Sequence, residues 1–368
     1  MKTTQKPVFR PRALVAAAVA LSLAAAAHAA SYHLVDLGVP DGASASSATA
    51  VNLHGDVTVD ASVGGNSFAY YYDGALHAIP SVGSPTSSES TALNDNGLFV
   101  GTLHYADSPT ARGFIYNANT DALTTFGSTF DHDGYGNAIS VNNAGITLGG
   151  AGLYAPGGYT YTGGVYTGLD SETLYLGGYG ALNNANQVLT SSSSLQSFYL
   201  HQLGAISDAG TDLLNWNVFH ASDFNDNGTI AGYDYANHNL FLTTNTHLDT
   251  ADYGKIGLGI SSVGDVNNLN DVVGTYDAGG MTTGAFLFSN GTFADLNTLI
   301  SPALGWNLFA ASGINDHGQI VGTGWAPDGS QHAFRLDPDA VPEPSTYGLM
   351  GAIGLLGLGI YRRKRRKP

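Results

Sequence analysis

Asp223, Asn225, Asn227, Gly228 and Asp234, in the run DFNDNGTIAGYD, fall at positions 1, 3, 5, 6 and 12 of a twelve-residue loop. Side-chain oxygens at positions 1, 3, 5 and 12, with glycine at 6, are the pattern of a loop that wraps a calcium ion. Asp223, Asn225, Asn227 and Asp234 are therefore the candidate metal ligands, with calcium the possible cofactor. Two other polar runs compete for attention. Asn315-Asp316-His317 opens INDHGQIVG, and Asp131-His132-Asp133-Gly134 is a second acidic spot that reads as a solvated loop. No serine elbow, phosphate-cradling glycine loop or cysteine nucleophile is present, so no catalytic residue is assigned. The twelve His are scattered without metal-ligand spacing. Only Glu89 and Glu172 lie between residues 30 and 341, so paired carboxylates for glycoside chemistry would have to be Asp gathered from distant segments.

The same polar runs also serve a structural purpose. Segments like INDHGQIVG begin at Asn52, Asn94, Asn142, Asn183, Asn225, Asn267 and Asn315, at spacings of 41 to 48 residues. A period of that size marks a repeat architecture. An apolar residue precedes each Asn. Three positions after it stands Gly55, Gly97, Gly145, Asn186, Gly228, Asn270 or Gly318, and only Gly and Asn enter the left-handed region cheaply. Five positions after it comes a strand former such as Val57, Phe99 or Ile320. The unit is thus a strand ending at Asn, a type I turn with a left-handed corner, and a returning strand. On this reading Asp316 and His317 fill central turn positions that vary freely among the copies.

A third strand follows in each copy, from Ser67, Gly113, Gly158, Ser197, Asn239, Gly284 and His332. A fourth is visible in ALHAI, ALTTF, GVYTGL and TFADL. Four strands per copy of about 43 residues is the dimension of a propeller blade. The seventh copy has no fourth strand of its own. Residues 32–38 (YHLVDLG) resemble the fourth strand of copy six, TFADLN. The expected fold is all-β, a seven-bladed β-propeller over residues 30–340 closed by the N-terminal strand, with an open β-solenoid as the alternative. The tyrosines at 70–72, 159 and 161, 175 and 179 are expected to pack in or between blades rather than stack on sugars. Trp216, Trp306 and Trp325 show no ordered platform in sequence.

Both ends carry sorting signals. Residues 1–29 place basic residues before an alanine-rich apolar run and end in Ala27-His28-Ala29, the layout of a secretory signal peptide. Residues 341–368 place Pro342-Glu343-Pro344 before an apolar run at 347–361, read as a single transmembrane helix, and a basic tail at 362–367. Between the ends 28 acids face three bases (Arg112, Lys255 and Arg335), a net charge of −25 that disfavours nucleic acid as a partner. An exported chain without Cys relies on burial and backbone pairing alone.

The three-part C-terminus resembles the PEP-CTERM sorting tail of Gram-negative bacteria. That resemblance implies inner-membrane recognition by an exosortase, cleavage near Pro342-Glu343-Pro344, and release to the cell surface or extracellular matrix. Copy seven, with INDHGQIVG and His332-Ala333-Phe334, resembles the HAF-repeat extracellular family, over residues 32–338 with degenerate copies at 142 and 183. This implies an exported repeat protein and brings no activity with it. The functional expectation is a non-enzymatic surface or matrix protein that binds or organises exopolysaccharide. The alternative is a glycan-active enzyme on a propeller scaffold.

Overall fold

The computed structural model describes residues 32–339 apart from 81, 107–110, 128–135, 152–157, 170–179, 193–196, 204–210, 216–218, 235–237, 244–255, 258 and 280–281. His33–Asp337 form one compact unit; the other unit comprises the chain ends, of which only Tyr32, Pro338 and Asp339 are described. The expected signal peptide, the Pro342-Glu343-Pro344 motif, the transmembrane helix and the 131–134 loop all lie outside the described residues. Among the described residues no helix is long and apolar enough to cross a membrane.

The described chain is an all-β propeller with only two short 3-10 turns, at Leu296–Thr298 and Pro302–Leu304. Its strands form seven antiparallel four-stranded sheets, six of them in simple sequence order from inner to outer strand. In the first, for example, Ala43–Val51, Val57–Val63, Asn66–Tyr72 and Leu76–Ala78 follow one another. The last sheet is different. Asn307–Ile314, Ile320–Trp325 and Gln331–Pro338 supply three strands, and Tyr32–Gly38 from the far end of the sequence supplies the outer one.

The core lies between sheets, as the alternation of each strand requires. Phe99, Leu103 and Phe114 pack on Ala69 and Tyr71 of the preceding sheet, and Leu37, Val321 and Ala333 of the last sheet pack on Ala48, Val57 and Val59 of the first. The tyrosines behave as expected of packing residues. Tyr159 is fully buried, and Tyr161 stacks on Phe126 with centroids 4.7 Å apart. Tyr175 and Tyr179 lie outside the described residues.

The abundance of glycine has a specific cause. Seven residues after the Asn, Gly101, Gly149, Gly232, Gly274 and Gly322 each sit directly opposite an aromatic of the third strand: Phe114, Tyr159, Phe241, Phe286 and Phe334. A β-bulge in the inner strand presses a carbonyl onto the same point. A Cβ at Gly274 would collide with the Ser262 carbonyl oxygen and reach 2.8 Å from the Phe286 ring. Only glycine admits both neighbours.

Candidate functional site: the asparagine ring and its channel

The turn at each Asn forms as its residues dictate. Gly55 N–H donates to Asn52 O at 3.0 Å and Gly318 N–H to Asn315 O at 2.9 Å, the other copies matching. The corner residue has positive φ in all seven copies, Asn186 (59°) and Asn270 (63°) included. The Asn side chain then does more than start the turn. In six copies its Oδ1 accepts backbone N–H groups two and four residues on, as from His317 and Gln319 to Asn315, both at 3.0 Å, and in Asn183 it accepts from Gln187 N–H. Its Nδ2 donates to the carbonyl of the next copy's Asn.

These cross-copy bonds form an unbroken circuit. Asn52 donates to Asn94 O (3.3 Å), Asn94 to Asn142 O (2.8 Å), Asn142 to Asn183 O (3.2 Å) and Asn183 to Asn225 O (3.1 Å). Asn225 then donates to Asn267 O (2.8 Å), Asn267 to Asn315 O (3.1 Å), and Asn315 back to Asn52 O (2.7 Å). All seven Asn are buried. Each thus satisfies donors of its own turn with its oxygen and an acceptor of its neighbour with its nitrogen. Aspartate would serve the turn but not the neighbour.

A second ring lies one residue further on and corrects the expectation that central turn positions vary freely. Asp316 Oδ1 accepts from Asn268 N at 2.7 Å, Asn268 Oδ1 from Asp226 N at 2.9 Å, and Asp226 Oδ1 from Asn184 N at 2.7 Å. Asn184, Asn143 and Asp95 continue the series to Leu53 N. It stops at Leu53, which has no acceptor. There His317 Nδ1 lies 3.0 Å from Leu53 O instead.

The inner strands and these turns line a polar channel of about 470 Å³. Asp95, Asp226 and Asp316 of the second ring line it at the turns; the inner strands supply Thr49, Thr91, Ser140, Ser222 and Ser312 together with two carboxyl groups, Asp223 and Asp265. Both acids stand two residues before their Asn, on adjacent inner strands. Asp265 accepts from Val266 N at 2.7 Å and from Ile314 N of the next sheet at 2.9 Å. Asp223 is held the same way by Phe224 and Val266 N–H groups and hydrogen-bonds Asp265. Burial in the channel wall, then the adjoining Asp265 carboxylate, push the Asp223 carboxyl well above the usual range, against the two N–H donors that favour its anion.

The four expected calcium ligands are not gathered. Asp223 pairs with Ala231, whereas Asp234 pairs with Phe219 at the far end of the hairpin. That is three residues, or roughly 10 Å, from Asp223 along the strand. The Asn225 oxygen is committed to the N–H groups of Asn227 (3.0 Å) and Thr229 (2.9 Å), and Asn227 donates to Asn268 O at 3.0 Å. Twelve-residue loop spacing fails here because the segment is a tight hairpin, which sends positions 1 and 12 apart. Among the described residues no group of three His, Asp or Glu is placed to hold a metal ion. The acid that sequence reasoning missed is Asp265. Alignment of copies five and six on their Asn would have paired it with Asp223.

Comparison with known proteins agrees with this picture at the level of fold and export. Residues 340–366 match the PEP-CTERM protein-sorting motif. No curated protein matches the chain in sequence. Among solved structures, YCF48 bound to a peptide is similar with a TM-score of 0.56 at 10% identity, over 84% of this chain and 97% of that one. A catalytically inactive virginiamycin B lyase from Staphylococcus aureus with quinupristin gives 0.52 at 9% identity, over 82% and 99%. YCF48 from Cyanidioschyzon merolae gives 0.50 at 12%, over 85% and 100%. At such identities the likeness is one of fold. The sorting motif marks the chain as an exported protein recognised by an exosortase and processed at the membrane.

Proposed function

We propose that this chain is a non-enzymatic surface or matrix protein of a Gram-negative bacterium, a closed seven-bladed propeller of the HAF-repeat type that binds exopolysaccharide. The sorting motif at 340–366 carries the reading, because it marks an exported chain processed at the membrane, and at a cell surface polysaccharide is an abundant ligand. Seven sheets, an outer strand drawn from residues 32–38 and the circuit of Asn bonds support ring closure. Closure also removes the sheet edge that would otherwise invite aggregation. The channel acids favour a structural role, since the Asp265 oxygens accept backbone N–H groups rather than pointing free into the channel.

A second reading rests on the Asp223–Asp265 contact. A carboxyl whose protonated form is favoured, hydrogen-bonded to a second carboxyl, is an arrangement that general acid–base chemistry uses. Incubating residues 30–341 with a panel of bacterial exopolysaccharides separates the two. Binding without chain shortening supports the proposal, and shortening abolished by Asp223→Asn establishes the enzyme.

A further inference from the structure

The end of the last sheet away from the Asn turn carries chemistry that neither ring nor channel uses. In register, Asn307 opposes Trp325 and Gly324 opposes His332, while Ile314, Ile320 and Leu336 meet at the Asn-turn end. Two indoles bracket the end of the strand Ile320–Trp325. Trp306 meets the His332 ring edge-on at 6.0 Å, on the side where Gly324 has no side chain. Trp325 takes the other side, as alternation demands, with Phe309 at 5.6 Å. Trp325 is 45% exposed, the one aromatic among the large hydrophobics exposed in the described residues.

Beside Trp306 runs a row of fixed polar groups. Asp36 Oδ1 lies 2.9 Å from His332 Nδ1, His332 Nε2 lies 2.8 Å from Ser330 Oγ, and the Ser330 hydroxyl donates to Asp328 Oδ1. The order Asp–His–Ser is that of a hydrolase triad. Here it is not one. The serine proton goes to Asp328, and the adjacent N–H groups of Gly329 and Ser330 already donate to Ala326 O and Asp328 Oδ1, leaving no pair for an oxyanion. What is left is a set of oriented acceptors beside aromatic rings.

We propose that this end of the last sheet binds a neutral, hydroxyl-rich glycan, one sugar ring lying on Trp325 and a neighbouring unit, past the strand end, hydrogen-bonded to Asp328 and Ser330 of the turn that follows. The proposal rests on the glycan-binding reading above and names its site. Charge selects the occupant. Two carboxylates stand here in a domain of 28 acids and three bases, and Arg335 is spent on Asp337 and Gly55 O, so a polyanion is repelled. An apolar partner would cover the rings but strip water from the Asp36 and Asp328 carboxylates. A neutral sugar offers C–H faces to indoles and hydroxyls to carboxylates.

Isothermal titration of residues 30–341 with cellohexaose, laminarihexaose and maltohexaose, and with polygalacturonate as a polyanion, tests this directly. At least one neutral hexaose binds, Trp325→Ala weakens it about tenfold or more, Asp328→Asn weakens it several-fold, and polygalacturonate binds less. Both substitutions are at exposed positions, and the amide oxygen introduced by Asp328→Asn still accepts the Ser330 N–H. Unaltered hexaose binding by both variants overturns the site and leaves the glycan reading standing. Preference for polygalacturonate overturns the neutral-glycan proposal and leaves the polysaccharide reading standing, and binding of none of the four overturns both.

Discussion

Asn315→Asp replaces one NH₂ by one oxygen and leaves shape unchanged, so it isolates the amide donor that joins the last copy to the first. In the wild type Asn315 Nδ2 donates to Asn52 O at 2.7 Å and to Gln319 Oε1 at 2.8 Å, while Oδ1 keeps its two turn bonds. The variant loses two buried bonds worth about 1 kcal/mol each and sets a carboxylate oxygen against two acceptors, for a total of about 3 kcal/mol at neutral pH. For a domain of this size that lowers Tm by about 5 °C. The penalty is pH-dependent. Facing acceptors, the new carboxyl has a folded pKa above its unfolded value, so its stabilising protonated form is fully present below the unfolded pKa and lost as pH rises through the folded one. Differential scanning calorimetry of residues 30–341 at pH 4.5 and 7.5 reads both effects. A drop under 1 °C at pH 7.5, or an equal drop at both, refutes the reasoning.

Three further substitutions follow from the packing. Thr147 Oγ1 is buried without a partner, at a position where other copies hold Val57, Val188 or Ile320, so Thr147→Val raises unfolding stability by about 1 kcal/mol in denaturant titration. Gly274→Ala drives a methyl group into the Ser262 carbonyl and lowers stability by about 3 kcal/mol, seen as a reduced midpoint. Burial raises the Asp60 carboxyl to about 6, against the Ser90 hydroxyl and N–H that favour its anion. Its protonated form is the stabilising one, so about 3 kcal/mol present below pH 4 is lost as pH rises past 6, and Asp60→Asn removes that slope from a stability–pH curve.

The hairpin at each Asn was legible because its turn chemistry is local: Asn to open, Gly or Asn in the left-handed corner, a strand former two residues on. The outer strand of the last sheet was legible from YHLVDLG, whose likeness to TFADLN reflects the same outer position in two sheets. What escaped was everything joining one copy to the next. Asn225 read as a turn former or a metal ligand because its partner Asn267 lies 42 residues away. A signal existed, since Asp would serve the turn as well, yet all seven copies hold Asn. Asp265 escaped for the same reason, its significance lying in the Asp223 beside it on another strand. Trp306 and Trp325, unordered in sequence, come to the two faces of one sheet end because the register opposes Asn307 to Trp325.

The central claim is that an exported, acidic propeller holds glycan without cutting it and without a metal. A glycan array probed with residues 30–341 in calcium and in chelator, with product analysis of every bound glycan, tests that claim most directly. The account predicts binding to neutral polysaccharide, equal in both conditions, with the glycan recovered at full length. Binding that disappears in chelator, or a shortened glycan, contradicts it.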